Sequence, residues 1–180
     1  ALYTSGAALN ASQGMPDNVS IYYHKNESGD DIFDPTKYLE LAKDIIRATD
    51  LPVLVDIDTG FGSLENIKRA VQELEEAGAA GVQIEDQEFP KRCGHLDGKI
   101  VVDEPVMQQR IITAINARKQ PLNDFIIVAR TDIGNATNYP NNGDVFDIYK
   151  ILFRAHAYRA AGADIVFPEA LKSKKEFLDD

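Results

Sequence analysis

Cysteine occurs once, and basic residues are outnumbered, with 19 Lys and Arg against 29 Asp and Glu for a net charge of -10. Each shortage excludes something. A single thiol cannot close an internal disulfide, which suits a reducing cytoplasmic setting, or the mitochondrial matrix of a eukaryote, better than secretion. The acidic balance argues against a nucleic-acid backbone or an anionic membrane surface as the main partner. Nor is there an apolar run of about 18 residues to span a bilayer or serve as a signal segment. What is present, 180 residues with 44% hydrophobic and 27% charged side chains, is a globular composition. No linker or composition shift divides it, so residues 1–180 read as one domain.

One layout recurs: a short run of consecutive apolar residues, a polar tip, a loop, then a helix-period pattern. The runs are "ALYTSG", "LPVLVDID", "AGVQIED", "DFIIVARTD" and "ADIVFPEA". Consecutive apolar positions suit strands covered on both faces, as in a parallel sheet, and alternation with helices points to repeated strand–helix units. Helix boundaries are readable too. Ser63 precedes the apolar stripe Leu64, Ile67, Ala70, Val71 and Leu74 and is placed to cap it, with Gly78 at its end. Asp34 and Pro35 open a second helix, "DEPVMQQRIITAINARK" is a third, and the fourth closes at Gly162.

The polar tips gather at the strand exits. "AGAAGVQIE" and "AGADIVFPE" both run from a helix-ending glycine to a glutamate, Glu85 and Glu169, which predicts two carboxylates at one level of the sheet. "VDID" adds Asp56 and Asp58, and "VAR" adds Arg130. Charged residues end strands for ordinary reasons, but five on four successive strands is the arrangement of a site at the C-terminal edge of parallel strands. Spaced two apart, Asp56 and Asp58 would project to the same side of an extended strand. With Asp17 and Glu85 they form an oxygen-only set suited to Mg²⁺ or Mn²⁺ and too hard for Zn²⁺. "TGFG" lacks the third glycine of a dinucleotide fingerprint, and "TSGAA" reads as a turn or as hydroxyl and backbone donors for a carboxylate.

"PKRCGH" holds the lone thiol. Cys93 and His95 make only half a zinc site, and a core cysteine would not have Lys91, Arg92, Gly94 and His95 as neighbours. Positive charges and an imidazole favour the thiolate, so a reactive group is the better reading. His24, in the polar stretch "YYHKNESGDD", reads as an exposed loop residue, and His156 as a helix residue without a functional partner.

In order, "TSGAALNASQGMPD", "PVLVDIDTGFG", "GVQIEDQEFPKRCGH", "VARTD" and "ADIVFPEA" resemble the isocitrate lyase and phosphoenolpyruvate mutase superfamily over nearly the whole chain. The Lys-Arg-Cys-Gly-His loop resembles the lyase branch, that of methylisocitrate lyase and the 2-alkylmalate lyases. The resemblance implies an α/β fold, a (β/α)8 TIM barrel, usually a homotetramer, that uses Mg²⁺ to cleave a carbon–carbon bond of a 2-hydroxy di- or tricarboxylate, leaving pyruvate or glyoxylate and a dicarboxylate. It further implies that Tyr3, Ser5, Gly6 and Ala7 hold the 2-oxo acid portion and that Asp17, Asp56, Asp58 and Glu85 hold the metal. Arg130 and Glu169 would fix substrate oxygens, and Cys93 would be the acid on a gating loop with Lys91, Arg92, Gly94 and His95 beside it. The small carboxylate substrate and further copies of the chain are then the partners. Five strands stand where eight are expected, so the chain is read as about strands 2 to 6 of a barrel, with the first and last two absent. Ala7 and Gln83 stand where the family often has Gly and His, which bears on substrate choice. The rival readings are an oxaloacetate decarboxylase or phosphonopyruvate-type enzyme on the same metal site, and a non-catalytic barrel fragment.

Overall fold

The computed structural model describes residues 1–15, 21–89, 91–94, 96–119, 124–139, 148–169 and 171. In chain order the elements are β1 (Leu2–Thr4), α1 (Gly6–Ser12), β2 (Tyr23–Lys25), β3 (Asp31–Phe33), α2 (Thr36–Arg47), β4 (Val53–Asp56), α3 (Leu64–Glu76), β5 (Gly81–Glu85), α4 (Glu104–Ala117), β6 (Ile126–Thr131), a 3₁₀ turn (Ile133–Asn135), α5 (Ile148–Ala160) and β7 (Ile165–Pro168). The expected runs form one five-stranded sheet in the order β1-β4-β5-β6-β7, parallel throughout. Every residue of β5 is buried, as its uninterrupted apolar run requires of a central strand with both faces covered. The edge strands differ. Leu2 and Tyr3 of β1 and Ile165 and Phe167 of β7 are exposed, the apolar edges expected of a sheet with fewer strands than a closed barrel.

Helix signals in the sequence translate directly. The Ser63 hydroxyl accepts from the Asn66 N–H at 3.1 Å, and Ile67, Ala70, Val71 and Leu74 of α3 are buried against the sheet. Asp34 accepts from the Thr36 N–H at 3.0 Å at the start of α2. Gly78 and Gly162 follow α3 and α5 at positive φ. The core joins Tyr38 and Leu39 of α2, the α3 stripe, Val82 and Ile84 of β5, Met107 and Ile111 of α4, and Ile127 of β6.

Two stretches depart from expectation. "SGAALNAS" is a short helix rather than a turn, because Ser5 in extended backbone accepts from the Ala8 N–H at 3.1 Å and so caps α1. The stretch around His24 is a two-stranded antiparallel hairpin, with Tyr23 opposite Phe33 and Lys25 opposite Asp31. Its turn is tied by the Asn26 side chain, which accepts from the Ser28 and Asp30 N–H groups. Phe33 and Tyr23 then pack on Phe89, with Phe33–Phe89 and Tyr23–Phe89 ring centroids each 4.8 Å apart. His24 is exposed in this hairpin, and His156 is exposed on α5.

Candidate active site

The C-terminal ends of β1, β4, β5, β6 and β7 deliver polar groups around one cavity of about 250 Å³, lined by residues that include Tyr3, Ser5, Ala7, Asp56, Glu85 and Arg130. Lys91, Arg92, Cys93, Gly94 and Glu169 complete its wall. Gly6 stands beside it, donating its N–H to Asp56 Oδ2 at 3.3 Å, and a Cβ added there would meet Asp58 Oδ1 at 2.8 Å. Asp17 and His95 lie outside the described residues. Every other residue named above for the site lines this cavity or touches its carboxylates.

The acidic set assembles differently from the expectation. Strand β4 ends at Asp56, and Asp58 sits at φ 47°, in the left-handed region, so simple alternation along a strand does not bring the two together. The tight "DTGFG" turn does. Asp56 Oδ1 accepts from the Asp58 N–H at 2.9 Å, and the Tyr38 hydroxyl donates to the Asp56 carbonyl at 2.6 Å. Phe61, also at positive φ, is clamped between Tyr22 and Tyr38 with ring centroids 4.7 and 5.0 Å away. An aromatic cluster thus holds a strained backbone in place beneath the site. Glu85 N–H donates to the Asp58 carbonyl at 2.9 Å, fixing the third carboxylate. Asp56, Asp58 and Glu85 each bring an oxygen to within 4.8 Å of the others, all buried.

Three carboxylates at this spacing cannot all ionise cheaply without a cation. Burial first, and the Asp56 charge second, push the Asp58 carboxyl up to about 6 against the pull of Lys91. Burial likewise drives Glu85 well above the usual carboxylate range, against Arg130, with Asp132, Asp56 and Asp58 adding to the rise. Only part of the charge is met by protein cations: Lys91 Nζ lies 3.0 Å from Asp58 Oδ1, and Arg130 Nε lies 3.5 Å from Glu85 Oε2. Glu85 Oε1 is buried with no hydrogen-bond donor among the described residues. Such a set of buried hard oxygens, with Glu85 Oε1 among those lacking a donor, fits a divalent cation of the Mg²⁺ or Mn²⁺ kind.

Opposite the acids stands Arg130. Its guanidinium forks onto Asp132, with Nε to Oδ2 and Nη2 to Oδ1 each at 3.0 Å, and its Nη1 is 3.3 Å from Glu169 Oε2. Burial opposes its charge, but Glu85, Asp132 and Glu169 outweigh that and hold it above its ordinary value. Register corrects one expectation here. Glu85 is level with Arg130, which is level with Phe167, so Glu169 stands two residues beyond the level of Glu85. Its N–H donates to the Thr131 carbonyl at 3.0 Å, which turns its side chain back toward Arg130.

Residues 91–94, after β5, form one wall of the cavity. Gln87 reads the Arg92 peptide on both sides, accepting from its N–H and donating to its carbonyl, each at 2.9 Å. Cys93 is partly buried and free, and Gly94 lies so close to Arg130 and Glu169 that a Cβ would collide with both. Gln83, singled out above for substrate choice, donates its side-chain N–H to the Tyr3 hydroxyl at 2.8 Å, whereas Asp132 and Lys99 were not anticipated from the sequence. Asp132 had a signal, two residues past Arg130 in the same strand exit. Lys99 had none, since a lysine in a polar loop ordinarily faces solvent.

A buried carboxylate triad of a kind that could hold a cation, and a neighbouring segment carrying Lys91 and Arg92, stand at the C-terminal edge of a parallel sheet, the place where α/β proteins of the TIM-barrel type carry their sites. The chain belongs to the PEP mutase/isocitrate lyase superfamily: the family model described as phosphoenolpyruvate phosphomutase matches residues 1–179. It is 46% identical to the 2-methylisocitrate lyase of Halalkalibacterium halodurans over 98% of this chain and 51% of that protein. Among solved structures it is similar to 2,3-dimethylmalate lyase, at TM-score 0.78 and 32% identity over 97% of this chain and 52% of that one. A phosphonopyruvate hydrolase solved with oxalate and Mg²⁺ is similar at TM-score 0.73 and 29% identity, over 98% of this chain and 53% of that one. The chain therefore spans about half the length of the curated relatives it matches.

Proposed function

We propose that residues 1–180 form one catalytic unit of a carbon–carbon lyase that cleaves a 2-methylisocitrate-like 2-hydroxy tricarboxylate to pyruvate and a dicarboxylate such as succinate. The observation that carries the reading is that Cys93 on its basic loop and Asp56 and Glu85 on strand ends line one cavity, with Asp58 buried beside those two carboxylates. The relatives named 2-methylisocitrate lyase support the substrate class. The enzyme would act in the cytoplasm, as a homotetramer like the family at large.

Asp56, Asp58 and Glu85 would hold Mg²⁺ or Mn²⁺, with Asp17 as a further ligand from outside the described residues. When bound, that cation acidifies the substrate hydroxyl and stabilises the carbonyl oxygen that replaces it. Tyr3, Ser5 and Ala7 line the cavity, Gly6 donates its N–H to Asp56 beside it, and the four would hold the 2-oxo acid portion. Arg130, kept charged by three carboxylates, would bind a substrate carboxylate, with Glu169 fixing its orientation. The hydroxyl proton would pass to a carboxylate of the site as the oxygen becomes a carbonyl, and the electron pair of the breaking carbon–carbon bond passes to the departing fragment, an enolate-like carboxylate that needs a proton of its own. Cys93 would donate that proton, with Lys91 and Arg92 stabilising the charge and His95 available to reprotonate the thiolate. The loop, seated on Gly94, would keep water from protonating the fragment elsewhere.

Product analysis of the full protein with Mg²⁺ tests this against the rivals. Incubated with 2-methylisocitrate, isocitrate, 2-alkylmalates, oxaloacetate and phosphonopyruvate, it should release pyruvate and succinate from 2-methylisocitrate fastest. Decarboxylation of oxaloacetate or attack on phosphonopyruvate as the fastest reaction would replace the reading with one of its rivals. No turnover together with no saturable Mn²⁺ binding would make the chain a non-catalytic fragment.

A further inference from the structure

Lys99 is fully buried, in a loop where lysine is ordinarily the most solvated of residues. A buried ammonium costs several kcal/mol unless its charge and its protons are met, so its partners identify what it does. Its Nζ lies 3.0 Å from Asp132 Oδ1 and donates to the carbonyl of Gly94. The backbone beneath it is tied down separately. The Thr137 N–H and hydroxyl both donate to the Lys99 carbonyl, at 2.8 and 2.9 Å. The side chain therefore reaches from a fixed base back across the cavity loop to the residue after Cys93.

We propose that Lys99 is the positioning residue that latches the Cys93 loop over the site, its ammonium bridging the Gly94 carbonyl and the Asp132 carboxylate. The proposal rests on the lyase reading only in taking Cys93 as the working group of that loop. Asp132 is a suitable anchor because it is itself immobilised: its N–H donates to Asp86 Oδ1 at 2.9 Å, and both its oxygens take the Arg130 fork. One carboxylate thus joins the residue that faces substrate to the residue that holds the lid. Gly94, pressed on Arg130 and Glu169 with no room for a side chain, is the seat on which the latch closes. Loss of the latch should release the loop more than it harms the fold. Asp132 keeps Arg130 as a counter-charge when Lys99 is removed, so no buried carboxylate is stranded, and only the Gly94 carbonyl loses its donor.

Alkylation followed at the peptide that carries Cys93 reports the loop position without relying on turnover. In the full protein, Lys99→Met should raise the rate at which iodoacetamide alkylates Cys93 by about tenfold or more, the population change that follows loss of one charge-assisted hydrogen bond. Rates are compared on the pH plateau, so that access is separated from thiolate fraction, and the thermal midpoint is recorded for each protein. An alkylation rate within twofold of the unsubstituted protein, in a folded variant, overturns the proposal. Should Lys99→Met not fold, Lys99→Gln serves in its place, and hydrogen exchange in the unsubstituted protein gives an independent answer. Amides of 91–94 and 96–98 should then be protected relative to the exposed hairpin turn at 26–29, and equal exchange overturns the latch. The two readings fail separately. A faster-alkylated variant of a protein that does not cleave 2-methylisocitrate keeps the latch and rejects the lyase, whereas cleavage with unchanged alkylation does the reverse.

Discussion

Without a divalent cation, the fold should weaken as pH rises through the range in which the buried triad ionises. Asp58 has an ordinary carboxyl pKa of 3.8 when unfolded and is pushed up to about 6 when folded. Between those values the folded state binds more protons than the unfolded one, so stability is full below about pH 4 and is lost as pH passes 6. A shift of about 2 units corresponds to roughly 3 kcal/mol in all, of which about 1.4 kcal/mol falls between pH 5 and 8. Glu85 and Asp86, both raised mainly by burial, act with the same sign. Groups whose pKa is lowered, such as Asp31, Asp34 and Glu73, act with the opposite sign, but only at pH values below the ordinary carboxylate range. The assay is urea unfolding followed by circular dichroism at pH 5, 6, 7 and 8 in chelator, for the full protein and for Asp58→Asn. The substitution subtracts every other titrating group, so the difference in slope belongs to Asp58. If the ionised triad holds Mg²⁺ as proposed, saturating Mg²⁺ should reverse the trend, with a stabilisation of about 2.7 kcal/mol at a hundred times its dissociation constant. Equal pH slopes in the two proteins would refute the electrostatic account of the site.

Other consequences are more local. Asp86→Ala leaves the buried guanidinium of Arg154, 3.0 Å away, without its counter-charge and removes the acceptor of the Tyr158 and Thr131 hydroxyls, so it should lower unfolding free energy by about 3 to 5 kcal/mol in urea titrations. Gly60→Ala places a methyl against Ile67 at φ +92° and should cost about 2 to 4 kcal/mol while weakening Mn²⁺ binding through the distorted turn. Asp58→Ala should abolish saturable Mn²⁺ binding, read by calorimetry, yet leave the helical circular dichroism signal in place.

Strands β4 to β7 were legible because each is a run of consecutive apolar residues leading to a charge, as suits a parallel sheet, whereas the polar β2–β3 hairpin was not. Helix boundaries were legible because Ser63, Asp34, Gly78 and Gly162 act locally, through hydrogen bonds or backbone freedom that depend on near neighbours. Asp58 shows where local reasoning stops. Its proximity to Asp56 was anticipated, but not the left-handed backbone that produces it, in a turn whose Phe61 packs on Tyr22 and Tyr38, residues far off in sequence. The α1 helix was hidden because Ser5 serves equally well as a turn residue or a cap until the chain beyond it is placed. Lys99 was hidden for the same reason in stronger form: its charge is met by Asp132, whose position depends on the pairing of β5 with β6.

The most direct test of the account is the rate of 2-methylisocitrate cleavage by the full protein and by Cys93→Ser, each saturated with Mg²⁺. A thiol acting as the acid predicts a fall in kcat of about 10² to 10⁴ with Mn²⁺ affinity unchanged. Cleavage by Cys93→Ser at the unsubstituted rate would contradict it.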